Sequence, residues 1–420
     1  MSDRPENIEE EHWKPLGKIS DIEMGQSPPS NYVFEGLDEG LPFLQGNAEF
    51  GVMSPHPKYS CALPAKIGKA GSLLISVRAP VGAVNIADQD YCIGRGLAAI
   101  FPKRYPASFL AAAVSKRSPE LARVSQGTTF DAIGKRELHS VCVYAPDQST
   151  ASKIAEILDT LDAAIRETEA VVAKLKAMKR GVLHDLLTRG IDANGDLRPS
   201  QSEAPHLYKQ TPLGWLPKEW EETDVFGIST NVTSGSRDWA RYYSETGAIF
   251  VRIGNLTREH VNLRLASVAH VKPPSNTDGQ RTSLEEGDVL VSITADLGIV
   301  GVIPEKFGEA YINQHVALIR PNKNLINPRF LGHFLASPIL QNHLSKLNDA
   351  GAKAGLNLPT IRGLPVMSPN PNEQDRIAER LDEIDTQIGN TQVETGKLKS
   401  MKSGIMDDLL TGRTSVTPLL

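Results

Sequence analysis

The segment "LKAMKRGVLHDLLTRG" at 175–190 returns as "LKSMKSGIMDDLLTGR" at 398–413, displaced by 223 positions, and the displacement holds without a gap back to Ile154 and Ile377. About half of the positions across this stretch are identical. A repeat of this length is too long for a solenoid or a propeller and marks a duplicated half-protein. Two copies of one fold must therefore fit within 420 residues, a length that allows two or three domains with real cores.

The repeated segments read as helices. Ile154, Leu158, Leu161, Ile165, Thr168, Val172, Leu175, Val182 and Leu186 follow alternating steps of four and three, and Lys179 fills the one missing place. This is a heptad seam. Ile377, Leu381, Ile384, Ile388, Thr391, Thr395, Leu398, Ile405 and Leu409 occupy the same seam in the second copy, with Lys402 in the gap. Ser149 and Asn372 are the expected N-caps, and Gly190 and Gly412 the expected C-terminal stops. Each helix should run about 35–40 residues, roughly 55 Å. A helix that long with one apolar stripe must cover the stripe, and the simplest cover is its own copy. Thr168 and Thr391 interrupt the seam at one level, either as register markers or as packed core threonines.

Upstream, the copies continue as β-rich sequence. "AGSLLISVRAPVGAVNIADQ" (70–89) matches "EGDVLVSITADLGIVGVIPE" (286–305): a Gly turn, an apolar run ending in Ser, a polar loop, then Gly and more β-branched residues. "FLQGN" (43–47) answers "VRIGN" (251–255), "CIGRGLAAIFP" (92–102) answers "INQHVALIRP" (312–321), and "SFLAAAVSK" (108–116) answers "RFLGHFLAS" (329–337). The expected plan is an α+β chain with two β-rich domains in tandem and two long helices forming an intramolecular antiparallel coiled coil. The domains are 1–147 and 213–371, the helices 148–190 and 372–412, the linker 191–212 and the tail 413–420. Residues 192–214, "DANGDLRPSQSEAPHLYKQTPLG", have the Pro, Ser, Asn and Gly content of a linker.

Catalytic and metal motifs are missing. No Gly-Lys is followed by Ser or Thr, so there is no Walker A loop, and neither G-x-S-x-G nor HExxH occurs. No Lys has an acidic residue two positions before it, and no [DN]-Pro-Pro-[YF] run is present; the two "PPSN" runs (28–31, 273–276) lack its aromatic and acid. Cys61, Cys92 and Cys142 form no CxxC pair, which points away from a cysteine zinc site and a disulfide framework and fits a reducing, cytoplasmic setting. His315 and Cys92 are lone candidates for a nucleophile, and a satisfied structural role is the expectation for both. The acidic, polar N-terminus does not read as a signal peptide, and no apolar run approaches the roughly 20 residues of a membrane helix. The net charge of −5 argues against a blanket nucleic-acid binder but leaves room for a local recognition face.

A duplicated β-rich domain, each copy followed by a helix of the form "NEQDRIAERLDEIDTQI…LKSMKSGIMDDLLTG" (372–412), resembles the specificity subunit of type I restriction–modification systems. "TPLGWLPKEWEE" (211–222) is similar to the segment that opens a target recognition domain in that family. The resemblance covers nearly the whole chain. The first copy departs from it, with "STAS" (149–152) in place of "NEQD".

The resemblance implies a non-catalytic subunit of a DNA-modifying complex. Two target recognition domains would each read one half of a bipartite double-stranded DNA target, and the coiled coil would set their spacing. Two methyltransferase subunits would dock on this frame and methylate adenine at N6. Restriction subunits, the translocase and nuclease, would join them. S-adenosylmethionine, ATP and Mg would then be used by those partners, with no cofactor or metal in this chain.

Candidate DNA-reading residues follow from base chemistry: Arg and Lys suit guanine edges, Asn and Gln adenine. The first domain offers Gln45, Asn47, Arg78, Arg95, Thr128, Thr129, Lys135 and Arg136. The second offers Ser236, Arg237, Arg252, Asn255, Asn313, Gln314, Lys353 and Arg362. "GTTFDAIGKREL" (127–138) and "AGAKAGLNLPTIRG" (350–363) are polar, Gly-rich and equivalently placed. Two other readings stay open: a fused DNA-modifying enzyme with an unrecognised active site, which methylation or cleavage by the isolated chain would establish, and a coiled-coil scaffold with non-DNA ligand domains, which sequence-specific DNA binding would dismiss.

Overall fold

The computed structural model describes residues 12–125, 132–237, 239–273, 277–349 and 356–416. They divide into two units, one running to Ala170 and resuming at Gln392, the other spanning Val171–Thr391.

In the first unit, Trp13–Pro15 pairs antiparallel with Cys142–Tyr144. One sheet has the spatial order Ser20–Met24, Leu97–Pro102, Leu73–Ser76, Val84–Ile86, and a second the order Val33–Glu35, Tyr59–Cys61, Leu41–Leu44, Tyr91–Ile93, Ile67–Gly68. The second unit repeats the plan. Glu221–Asp224 pairs with Pro365–Ser368, and one sheet runs Ser229–Ser234, Val316–Pro321, Val289–Ser292, Val300–Val302. Its other sheet runs Tyr243–Ser244, Ala269–Val271, Ala248–Val251, Ala310–Ile312.

The apolar runs "LLIS" and "VLVS" are buried along their whole length because each strand feeds two cores. Side chains alternate across a strand. Leu73 and Ile75 thus join one cluster and Leu74 another, and Val289 and Val291 part from Leu290 in the same way. The serine ending each run closes the following turn. Ser76 Oγ donates to Pro80 O at 2.6 Å and accepts from Ala83 N, and Ser292 Oγ donates to Asp296 O at 2.5 Å and accepts from Ile299 N.

The long helices are Gln148–Thr188 and Pro371–Leu409, 41 and 39 residues. Their caps stand two residues ahead of the expected ones. The caps are Asp147 and Asn370, whose side chains accept from Thr150 N and Glu373 N at 3.0 Å. Ser149 and Asn372, the expected caps, lie inside the first turn, because the carboxylate or amide two residues upstream reaches the free backbone amides first. Ser149 and Thr150 instead donate their hydroxyls to Asp147 and hold its carboxyl well below the usual range. Gly190 and Gly412 take positive φ, as stops of this kind do.

Within each unit the two helices are joined by ion pairs, and the order of the two pairs in the first unit is antiparallel. In the first unit Lys402 meets Asp162 at 2.5 Å and Lys399 meets Glu169 at 2.7 Å, and in the second Lys179 meets Asp385 at 2.5 Å. The seam is not uniformly buried. Ile154 and Leu158 are sealed in one core cluster with Leu409 and Leu410, and Ile377 and Leu381 in another with Leu183, Leu186 and Leu187. Ile165 and Ile388 are also buried, whereas Leu161, Leu175, Ile384 and Leu398 are half-exposed. Two helices alone leave one side of a seam residue open, so the sealed positions are those where a β-rich body packs as well. Thr168 and Thr391 turn their hydroxyls back to carbonyls of their own helix, Ala164 O and Gln387 O.

The same surface of each helix seats a short helix of the β-rich body. Ser108 in Ala107–Ser115 donates to Asp159 at 3.0 Å. At the position 223 residues on, Asp382 receives Arg329 and His333 from Pro328–Ala336, with His333 Nε2 at 2.7 Å. Burial disfavours the Asp382 charge, but His333 and Arg329 outweigh it and hold the carboxyl at about 2. Burial pushes the fully enclosed His333 down. His333, Asp382 and Asp385 have the donor set of a metal site, their ligand atoms lying within 4.8 Å of one another. Arg329 pairs with Asp382 and Lys179 with one oxygen of Asp385, while the other Asp385 oxygen is buried without a hydrogen-bond partner.

Residues 191–212 are a packed segment rather than a free linker. Gly190 and Ile191 lead into a turn at Asp192–Gly195, and Ile191, Ala204 and Tyr208 are buried. The anchor is Glu373, which accepts from Ile191 N (2.9 Å), Arg198 (2.5 Å) and Trp220 Nε1 (3.2 Å). A Cβ on Gly190 would lie 2.2 Å from Glu373 Oε1, so glycine is required both by φ and by this approach.

Candidate nucleic-acid interface

In both units the loops at one end of the sheets are tied together by the same backbone hydrogen bonds. Gly25 N donates to Leu97 O, Val77 N to Gly96 O, Ile133 N to Val77 O and Gly94 N to Leu44 O. Their counterparts are Gly235 N to Val316 O, Ile293 N to His315 O, Leu356 N to Ile293 O and Asn313 N to Val251 O. Five loops from distant parts of the chain are thereby locked into one frame in each unit. Backbone bonds hold it, so the side chains projecting from it are free to differ.

The pairing of Leu44 with Val251 moves one sequence equivalence by a residue. "FLQGN" and "VRIGN" match through Gly-Asn, yet those residues fall at different points of the 3-10 turns Asn47–Glu49 and Ile253–Asn255. Gln45, not Leu44, is therefore the counterpart of Arg252.

Most candidate readers sit on this frame. In the first unit Gln45, Arg78 and Arg95 are exposed and Asn47 is half-buried. Ser27, which composition alone did not single out, links two of them: its hydroxyl accepts from Gln45 Nε2 at 3.2 Å and from Arg95 N at 3.4 Å. Lys135 and Arg136 lie exposed on the short helix Lys135–Ser140, just after the loop bond at Ile133. Thr128 and Thr129 lie outside the described residues.

In the second unit Arg237 is exposed and Arg252 half-buried. Ser236 accepts from Arg281, which also donates to Thr233 Oγ1 and Ser234 O. Arg281 was missed because it stands in a short helix, Thr277–Thr282, that has no counterpart in the first unit's repeat pattern. Asn313 is buried and accepts from His315 N, and Gln314 Nε2 lies 3.0 Å from His315 Nε2. Asn255 is placed differently: it is buried, accepts from Arg252 N and donates to Arg264 O and Ser267 O, which occupies its amide in holding the loop. Arg362 is exposed but spends one nitrogen on Val232 O at 2.9 Å. Lys353 lies outside the described residues.

Each frame thus presents cations and amides on its rim: Gln45, Arg78, Arg95, Lys135 and Arg136 in one, Arg237, Arg252 and Gln314 in the other. Guanidinium and amide groups can pair with base edges, and the remaining cations suit phosphates. Cys92 takes no part. It is fully buried in the second sheet, and burial together with a bond to Cys61 pushes its thiol up to about 12.

The family model described as "Type I restriction modification DNA specificity domain" matches residues 11–177 and 217–400. The putative type I restriction enzyme MjaX specificity subunit of Methanocaldococcus jannaschii is 39% identical over 174 residues, 41% of this chain and 40% of that protein. The MjaVIII specificity subunit of the same organism is 22% identical over 70% of this chain and 67% of its own length. The EcoBI specificity subunit of Escherichia coli is 22% identical over 70% and 66%. The match to the first of these relatives therefore spans well under half of its length. Among solved structures, the S subunit of a type I restriction-modification system from M. genitalium aligns over 97% of both chains with a TM-score of 0.62 at 14% identity. A chain from a structure of complex assembly and conformational transition of the type I R-M system aligns over 98% of this chain and 99% of its own with a TM-score of 0.53 at 16% identity.

Proposed function

The chain belongs to the type I restriction modification DNA specificity family, and from that premise we propose that each unit's loop frame reads one half of a bipartite double-stranded DNA target. The paired helices act as the spacer between readers and as the seat of two methyltransferase subunits. Those subunits use S-adenosylmethionine, and restriction subunits joining them use ATP and Mg. Gln45, Arg78 and Arg95 read bases on one frame, and Arg237, Arg252 and Gln314 on the other, while Lys135 and Arg136 meet phosphates. Among the described residues no helix is long and apolar enough to cross a membrane.

The observation that carries this reading is the repeated frame with unlike side chains. Equivalent backbone bonds hold five loops in each unit, while Arg78 and Arg95 in one correspond to Thr294 and Gln314 in the other. Two readers of one geometry and different chemistry suit a target with two unlike halves. The test is to reconstitute the chain with the methyltransferase subunits of its own system, methylate a randomised DNA library and sequence the modified molecules. A motif with two different halves and a fixed gap is expected. Methylation without sequence preference, or a single continuous motif, overturns the proposal.

A further inference from the structure

Gln314 lies between the strands Ala310–Ile312 and Val316–Pro321, on the rim of the second unit's loop frame. Its Nε2 is 3.0 Å from His315 Nε2, and His315 Nδ1 is 2.7 Å from Thr294 Oγ1. An amide nitrogen only donates, so in this chain His315 Nε2 accepts and the ring carries its proton on Nδ1, where it donates to Thr294. The backbone that carries the ring is fixed as well. His315 N donates to Asn313 Oδ1, and His315 O accepts from Ile293 N. One N–H of Gln314 is thereby spent on His315. The other N–H and Oε1 remain, a donor beside an acceptor.

That pair is complementary to the N7 acceptor and N6 donor of adenine in the major groove. We infer that Gln314 reads an adenine in the half-site met by the second unit, with His315 as the positioning residue that fixes the direction of the amide. The inference rests on the DNA-reading function proposed above and adds a base and a residue to it. The first unit supplies the contrast. The bond from Val77 N to Gly96 O is the counterpart of that from Ile293 N to His315 O. Arg95 and Gly96 therefore stand where Gln314 and His315 stand. An unsupported guanidinium suits guanine O6 and N7, and glycine offers no ring to steer it. The equivalent base pairs of the two half-sites should differ, adenine in one and guanine in the other.

The test uses the reconstituted methyltransferase complex and a randomised DNA library, comparing wild type with Q314A, Q314R and H315F. Wild type should require adenine at one position of one half-site. Q314A should relax that position by about tenfold or more and leave the other half-site unchanged, and Q314R should shift it toward guanine. H315F should weaken the same position alone, a result that a purely structural role would not give. The unaltered half-site and an unchanged melting temperature show that a variant is folded. Should Q314A melt early, Q314N, which keeps the amide but draws it back, takes its place with the same expected loss. Retention of the adenine requirement in these variants overturns the inference, as does uniform loss of selectivity across both halves. Failure of the wild-type complex to yield any bipartite motif overturns the underlying function instead.

Discussion

Lys179 and Asp385 form an ion pair across the long helices at 2.5 Å, with side chains only 12% and 2% exposed. Their counterparts 223 positions away, Lys402 and Asp162, make the same pair at 27% and 38% exposure. One chemical contact has thus been built twice at different depths.

The depth decides the energetics. Replacing Lys179 by Met strands a buried carboxylate, one of whose oxygens already lacks a partner, and should cost about 3–5 kcal/mol. The same change at Lys402 leaves Asp162 in reach of water and should cost ~1 kcal/mol or less. Urea unfolding of the two variants measures the difference, and equal losses would refute the burial argument. Adding D385L to K179M should recover most of the loss, since a well-packed apolar pair can replace a buried ion pair.

The enclosed His333 gives the second unit a pH dependence. Its folded-state pKa is lowered by burial, so the unfolded state binds more protons below about 6.5. The stability it contributes is complete above that pH and falls as the pH drops below it. Asp382, held at about 2, acts in a separate window, losing its contribution only below about 4. Urea midpoints between pH 5 and 7.5 should decline toward acid in wild type, and H333Q should flatten that slope even if it is less stable throughout.

Glu373 is the anchor of the segment that follows the first long helix. E373A would leave the Arg198 guanidinium, 9% exposed, without its main partner, at a cost of about 3–5 kcal/mol. Limited proteolysis should then cut within 191–205 before the rest of the second unit unfolds. An insertion between Gly190 and Ile191 should act in the same way, because it withdraws Ile191 N from the same carboxylate. Resistance equal to wild type would show that the carboxylate is not the anchor.

If, as proposed, base contacts carry sequence and the helices carry distance, exchanging residues 1–147 for the corresponding part of a relative should alter one half of the methylated motif and leave the other half and the gap intact. Sequencing methylated sites in cells carrying the exchange checks this. A change in both halves would show that the readers are not independent.

The helices, their seam and the doubling of the β-rich body were legible because heptad spacing and a constant displacement survive without any knowledge of packing. What sequence misplaced depended on who reaches whom in space. Ser149 and Asn372 are good caps by type, but Asp147 and Asn370 arrive first. Residues 192–214 have a linker's composition, yet Glu373, more than 170 positions later in the chain, ties Ile191 and Arg198 down. Asn255 has a reader's chemistry and a scaffold's partners. Ser27 and Arg281 had no motif to reveal them, since each matters only through the neighbours the fold delivers.

The division of each long helix between the units has a consequence for synthesis on the ribosome. The second unit is a continuous stretch, Val171–Thr391, whereas the first resumes only at Gln392. Its core joins Leu16, Ile154 and Leu158 to Leu409, Leu410 and Val416, contacts of very high sequence separation that form slowly. The unit translated first is thus the one completed last. Until the final helix emerges, the cluster around Ile154 and Leu158 lacks its Leu409, Leu410 and Val416 side, whereas the second unit needs no residue beyond Thr391 to close.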